Sequence, residues 1–334
     1  MLEDPGLDER ELTAALHLAY GTEASDFTFV PGYDMRAAAY EVTAPDGRYF
    51  LKVRFGPVEE APLRVPRALL DVGLSNVLAP IRTRSSELWH SMGDGGTIVL
   101  YPFVAGQNAM DAGMSVDQWR TFGIALRAVH DSGLERQFAD LLPAEAFSLP
   151  SAPAVRAILA QAPLVDSAAA NRLRGVLREQ AGRIGAMLER AEDLGAGLRG
   201  RSFQRVLCHA DIHAANILVA DDGRIVLVDW DGPMLAPRER DLLFVIGSRI
   251  AYDVEPHEEA WFFEGYGEVE VDPEAIVYYR YERIFEDIAE TGRSVLTDSA
   301  VPESSRASEV SLVASFFGPG GIVESVESIA IPRA

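Results

Sequence analysis

Disulfide chemistry is the first thing the chain lacks the means for: its 334 residues contain one cysteine, Cys208. No internal disulfide can form, and a reducing compartment is the expected setting. No apolar run approaches the roughly 20 residues needed to cross a bilayer. The N-terminal MLEDPGLDERELTAAL is acidic and lacks the basic-then-apolar order of an export signal, which predicts a cytoplasmic protein with no membrane partner. Basic side chains are also scarce, 30 against 51 acidic ones, for a formal net charge of −21. Nucleic acid is therefore not an expected partner, because its phosphates must be neutralised by basic surface. Such a charge steers a cationic small molecule toward the chain, and it serves solubility equally well. Internal repeats and long low-complexity tracts are absent too.

Nearly half the residues are hydrophobic, 48%, enough to bury one large core or two cooperating ones. Residues 7–20 read as an amphipathic helix, followed by strands at 26–31, 38–44 and 48–54, with Pro45-Asp46-Gly47 as a hairpin turn between the last two. A helix at 59–72 and strands at 76–83 and 96–101 complete a mostly antiparallel sheet with a packed helix. Beyond Tyr101-Pro102-Phe103-Val104-Ala105-Gly106 the character changes. Val116, Trp119, Phe122, Leu126 and Val129 recur at spacings of three and four, marking one buried helix face. Loop and short helix are expected around 140–168, a long helix at 169–195, and a mainly helical tail from 237 interrupted by the polar stretch Thr297–Ser308. The reading is an α+β chain: residues 1–100 as a small antiparallel-sheet lobe, 101–106 as a hinge, and 107–334 as a mainly helical lobe.

The chemistry concentrates in His209-Ala-Asp211-Ile-His213-Ala-Ala-Asn216 and, after the β-branched runs flanking Asp221-Asp222-Gly223, in Asp229-Trp-Asp231-Gly. Phosphoryl transfer needs few groups, closely placed: one carboxylate to orient a hydroxyl and take its proton, and hard oxygen donors to hold magnesium against phosphates. Asp211 suits the first role. Asn216 and Asp229 suit the second, brought together because the short hairpin folds Asp229 back beside the loop. A rival reading treats His209, Asp211 and His213 as alternating metal ligands of a hydrolase. Only six histidines are present, and the other four stand in no ligand pattern.

H-x-D-x-x-x-x-N followed by a hairpin and an Asp resembles the catalytic loop shared by protein kinases and the aminoglycoside phosphotransferase-like small-molecule kinases. His213, D-W-D in place of D-F-G, and Gly232-Pro-Met-Leu-Ala-Pro-Arg-Glu-Arg-Asp241-Leu look like the phosphotransferase branch. The resemblance implies a protein-kinase-like two-lobe fold using ATP and Mg²⁺, with Asp211 as base, Asn216 and Asp229 on the metal, and His209 and Asp241 supporting the catalytic loop. Lys52 stands in the otherwise apolar strand Tyr49-Phe-Leu-Lys-Val, where a lysine is costly unless paired. The resemblance makes it the contact to the α/β-phosphates, partnered by Glu60 in preference to Glu59; a solvated strand face and an ordinary acidic helix start are the plain readings of the two.

No G-x-G-x-x-G is present; the corresponding turn is Pro31-Gly32-Tyr33-Asp34-Met35-Arg36-Ala37, where Gly32 lets backbone approach phosphate or simply serves a β-turn. At the hinge, the resemblance gives the Pro102 carbonyl and the Val104 N–H to adenine, and a plain strand exit is the alternative. His130 and Cys208 read as structural. For the acceptor, Asp231 and Glu239 near the active loop and Tyr278, Glu286 and Asp287 on an aromatic, acidic helix could meet a cation through carboxylates and ring faces; that helix could equally be docked by its tyrosines. Within the family the stretches quoted, with Phe316-Phe-Gly-Pro-Gly-Gly, look most like the spectinomycin-phosphorylating branch. An aminoglycoside or aminocyclitol antibiotic is the implied acceptor. A choline-, homoserine- or methylthioribose-like metabolite is the alternative, and a kinase-shaped binding protein without turnover the alternative from another class.

Overall fold

Alternating apolar side chains and turn-forming residues set up the first sheet, and the computed structural model shows how its two faces are used. It describes residues 4–32, 36–93, 96–160, 164–299 and 301–329. In chain order, helix α1 (Glu9–Tyr20) precedes strands β1 (Asp26–Val30), β2 (Ala37–Ala44) and β3 (Gly47–Phe55). Next come α2 (Ala61–Asp71), β4 (His90–Ser91), β5 (Gly96–Pro102), β6 (Gly106–Asn108), α3 (Ala109–Ala112) and α4 (Val116–His130). Helices α5 (Ala152–Ala160) and α6 (Ala168–Arg199) lead to β7 (Val206–Cys208), β8 (Ile217–Ala220), β9 (Ile225–Leu227) and β10 (Met234–Ala236). The remainder is helical: α7 (Glu239–Leu242), α8 (Pro256–Tyr266), α9 (Pro273–Thr297), α10 (Glu303–Phe316) and α11 (Ile322–Glu327). The architecture is α+β, an antiparallel N-terminal sheet followed by a helical C-terminal part.

The chain forms two compact units. The first comprises Met1–Pro143, Val206–Leu235 and Ala260–Gly267. Its main sheet has strand order β1-β2-β3-β5-β4 with antiparallel neighbours. Leu51 and Val53 of β3 turn to one face, where Tyr40, Val42, Ile98 and Leu100 pack with Leu12 and Leu16 of α1. Val99 and Tyr101 turn to the other, against Leu63 of α2. A second sheet, β6-β8-β9, carries the hairpin that ends at Asp229. Gly106 is obligatory in it, since a Cβ there would lie 2.2 Å from the Val219 carbonyl oxygen. Helix α4 begins with a capping box of Ser115 and Gln118 and buries the expected Trp119, Phe122, Leu126 and Val129.

Residues 76–83, expected as a strand, form none. Pro80 cannot donate to a ladder, and the segment instead crosses to the second sheet. Val77 makes a parallel bridge to Leu227. Leu78 N–H donates to the Leu227 carbonyl (3.0 Å), and Leu227 N–H to that of Asn76 (2.7 Å). The fifth strand of the main sheet is the short β4, paired with β5.

The second unit comprises Ala144–Arg205, Ala236–Glu259 and Glu268–Ala334. It is built on α9, which packs against α5, α6, α10 and α11 and buries Tyr278, Tyr279, Tyr281, Ile284, Phe285 and Ile288. The polar interruption expected at Thr297–Ser308 is shorter than its composition suggests. Helix α9 runs to Thr297, and α10 already starts at Glu303 behind Pro302, because proline at a helix entry and an acid in the first turn favour initiation.

Candidate active site

The loop between β7 and β8 and the exit from β9 are laced together through backbone groups (all in the first unit). His209 is fully buried; its Nε2 donates to the Val228 carbonyl (2.9 Å), and its Nδ1 accepts from Asp211 N–H (3.4 Å). Those partners select the neutral Nε2–H tautomer. Val228 N–H donates in turn to the Asn216 carbonyl (3.0 Å). Both sides of the residue before Asp229 are thereby held by the catalytic-loop segment. The Trp230 ring lies 4.5 Å from that of His209 and is buried. Since both His209 nitrogens serve the backbone, His209 does not join Asp211 and His213 as a metal ligand.

Asn216 Nδ2 donates to the Asp211 carbonyl (2.8 Å), with the Asp211 carboxylate at 3.5 Å. His213 Nε2 lies 3.6 Å from the same carboxylate oxygen. This geometry commits the amide nitrogen of Asn216 inward and leaves its Oδ1 as an acceptor. Two non-glycine residues at the site have left-handed backbone: Ala210 (φ 70°) and Asp229 (φ 60°). Such strain persists only where the surroundings over-determine it.

Three carboxylates and two cations meet here. Lys52 Nζ lies 3.4 Å from Asp231 Oδ2, and Arg54 Nη1 3.5 Å from Asp231 Oδ1. Desolvation, then the neighbouring Asp231, raises the Asp229 carboxyl above the usual aspartate range; Lys52 opposes the shift, and Asp211 adds to it. A carboxyl held above its ordinary value by burial and by neighbouring acids is one whose charge a divalent cation would stabilise. Asp229 with the Asn216 Oδ1 is an all-oxygen donor set that fits Mg²⁺.

A cavity of about 660 Å³ opens beside these groups. Lys52, Asp229 and Asp231 line one side of it, and Gly32, Pro102 and Val104 lie among the other lining residues. Tyr33, Asp34 and Met35, the middle of the expected phosphate loop, lie outside the described residues. Ala39, Phe50, Leu78 and Leu218 give the cavity apolar walls suited to a flat ring.

The expected Lys52–Glu60 pair is not made. Glu60 sits one residue ahead of α2, at its N-cap, and pairs with Arg64 (2.9 Å) one turn on; Lys52 takes Asp231 instead. Asp231, expected to face an acceptor, is engaged by Lys52 and Arg54. The remaining acceptor residues belong to the second unit. Tyr278 is fully buried, its hydroxyl accepting from Leu149 N–H (3.0 Å), so it packs and presents no ring face. Glu239 is buried and accepts from Asp272 N–H (2.8 Å). Glu286 lies 3.5 Å from Arg240, and Asp287 3.2 Å from Arg283. Asp241 is completely buried in α7. His130, read as structural, is buried with Nδ1 2.7 Å from the Tyr266 hydroxyl.

Residues 30–276 match the profile of the phosphotransferase enzyme family. The chain belongs to that family. The phosphotransferase is similar over nearly its whole length to spectinomycin phosphotransferase, APH(9)-Ia, crystallised with ADP and spectinomycin. Identity is 31%, coverage 97% of this chain and 99% of that one, and the TM-score 0.87. An amicoumacin kinase bound to AMP-PNP and amicoumacin (16% identity, 96% and 94% covered, TM-score 0.63) shares the fold. So does the choline kinase LicA from Streptococcus pneumoniae (15% identity, 92% and 99% covered, TM-score 0.54). The chain is accordingly a kinase-type phosphotransferase with a hydroxyl acceptor.

Arg54 was missed by motif reasoning, which stops at the lysine of the strand. One signal in the sequence does mark its neighbour: Lys52 is the sole lysine of the phosphotransferase, all other basic side chains being arginine.

Proposed function

We propose that this phosphotransferase transfers the terminal phosphoryl group of ATP to a hydroxyl of an aminocyclitol, with spectinomycin or a close relative as acceptor. The observation that carries the acceptor is the 31% identity, spread over 97% of the chain, to an enzyme crystallised with ADP and spectinomycin. The apolar-walled cavity ending in Lys52, Asp229 and Asp231 carries the nucleotide.

In this reading adenine lies between the walls near Phe50 and Leu218, against the Pro102 carbonyl and the Val104 N–H, and Lys52 meets the phosphates. Residues 1–100 act as the nucleotide lobe, 101–106 as the hinge and 107–334 as the catalytic lobe. Asp211 orients the acceptor hydroxyl and takes its proton as the oxygen bonds to the γ-phosphorus. The bond from that phosphorus to the β–γ bridging oxygen breaks, and ADP leaves with the electron pair, with no covalent enzyme intermediate. Bound Mg²⁺, held by Asn216 and Asp229, would neutralise charge on the phosphates. His209 keeps the two Mg²⁺ ligands and the base in register through Val228. Glu286 and Asp287, each beside an arginine, meet an ammonium group in this reading by exchanging that partner.

The test is mass spectrometry of reactions containing the purified protein, MgATP and one acceptor each: spectinomycin, aminoglycosides, choline, homoserine and methylthioribose. A single phosphoryl gain on spectinomycin supports the reading. A gain confined to a metabolite would replace the acceptor, and ATP binding with no product on any compound would sink the transfer reading.

A further inference from the structure

We propose that Arg54 is a second phosphate-binding cation beside Lys52, and that Asp231 is the internal carboxylate which a polyphosphate displaces from both. The inference rests on the nucleotide reading of the cavity and extends it to a residue no catalytic-loop pattern reaches.

Strand alternation supplies the geometry. On β3, Leu51 and Val53 are completely buried on the face that packs with α1. Lys52 and Arg54, two residues apart, therefore project together on the opposite face. Their nitrogens reach the two different oxygens of one carboxylate, Oδ2 at 3.4 Å and Oδ1 at 3.5 Å. Both cations are largely shielded, with side chains 19% and 17% exposed, whereas Asp231 is 45% exposed. The anion is thus the outer partner.

Both contacts are long for charge-assisted bonds, which settle near 2.7–2.9 Å. Asp231 bridges the pair, one carboxylate oxygen facing each cation. A di- or triphosphate entering the cavity offers more charge and more oxygens than one carboxylate. Its oxygens suit the point charge of a lysine and the planar fork of an arginine at once. Exchange of Asp231 for phosphate oxygens improves both cation contacts while Asp231 gains water.

The experiment is calorimetric titration of adenosine, AMP and ADP, without magnesium, into the wild type, Arg54→Gln, Arg54→Lys and Asp231→Asn. Melting curves confirm that each variant is folded. A charged hydrogen bond contributes roughly 1.5–3 kcal/mol. Arg54→Gln is therefore expected to weaken ADP by about 10- to 100-fold while leaving adenosine within about twofold. Arg54→Lys recovers part of the loss, and Asp231→Asn binds ADP more tightly than the wild type. Unchanged ADP affinity in Arg54→Gln, or an equal loss for adenosine and ADP, would overturn the proposal alone. A wild type that binds neither adenosine nor ADP would overturn the nucleotide reading and this proposal with it.

Discussion

Asp211, Asn216 and Ala210 show how much chemistry rests on single backbone groups. Asp211→Asn keeps the shape of the loop but cannot take a proton. In the proposed role of Asp211 as general base, whose removal costs about 10²- to 10⁴-fold in rate, kcat is expected to fall by that factor with nucleotide affinity nearly unchanged, read by steady-state kinetics and titration. Ala210 is buried at φ 70°. Left-handed backbone already costs an alanine about 1–2 kcal/mol, and a β-branched side chain fares worse. Ala210→Val should lower unfolding free energy by about 2 kcal/mol or more in urea denaturation. The single lysine offers a cleaner chemical probe. An amine-reactive acylating reagent should modify Lys52 and the α-amino group only, and saturating ADP should protect Lys52 alone in peptide mapping; persistent labelling of Lys52 under ADP would contradict its place at the phosphates.

Helices and strands meet where side chains are missing. In the first unit, a Cβ on Gly123 of α4 would sit 2.1 Å from the Phe262 carbonyl oxygen of α8, and one on Gly265 1.9 Å from that of Arg120. The two helices cross backbone to backbone, with the Phe122 and Phe262 rings 5.0 Å apart beside the crossing. Gly123→Val must push them apart, and overpacking typically costs about 1–3 kcal/mol; the upper end is expected here, because the obstructing atoms are backbone. Gly175 in α6 is exposed with no atom near its would-be Cβ. Gly175→Ala should stabilise by about 0.5–1 kcal/mol, since alanine loses less conformational freedom on entering a helix. Opposite shifts of the two melting temperatures would bear out the packing.

Charge acts on the molecule as a whole. With a formal net charge of −21, a cationic acceptor is drawn in over distances that salt screens within about 8–10 Å. The kcat/KM for such an acceptor should fall as ionic strength rises, while that for a neutral acceptor stays flat. Stability has its own pH dependence. Burial, with Glu286 and Glu145 nearby, pushes the Glu282 carboxyl from 4.5 up to about 7 against the pull of its ion-pair partner Arg240. The folded state then holds the proton more tightly than the unfolded one. The contribution of this group is full below about 4.5 and is lost as pH climbs through about 7. Glu282→Gln should flatten the fall in urea midpoint between pH 5 and 8.

Local pattern was enough for much of this. The spacing from Asp211 to Asn216, the turn at Asp221-Asp222-Gly223 and the exit to Asp229 are short-range features, and helix α4 announces its buried face at intervals of three and four. The segment 76–83 misled because β-like composition does not say which strand supplies the hydrogen bonds; Pro80 and the bridge to Leu227 settled that. Glu60, in preference to Glu59, was the helix carboxylate that the family resemblance implied for Lys52. The partner chosen by folding, Asp231, is 179 residues away. Which carboxylate neutralises a strand cation, whether a tyrosine faces ligand or core, and which backbone groups brace Asp229 depend on segments that meet only when the chain closes, and no periodicity within either segment encodes the meeting. Residue types and short spacings carry the chemistry of phosphoryl transfer, whereas the pairing of charges across the cavity is a property of the closed fold, where desolvation makes a buried charge costly unless it is paired.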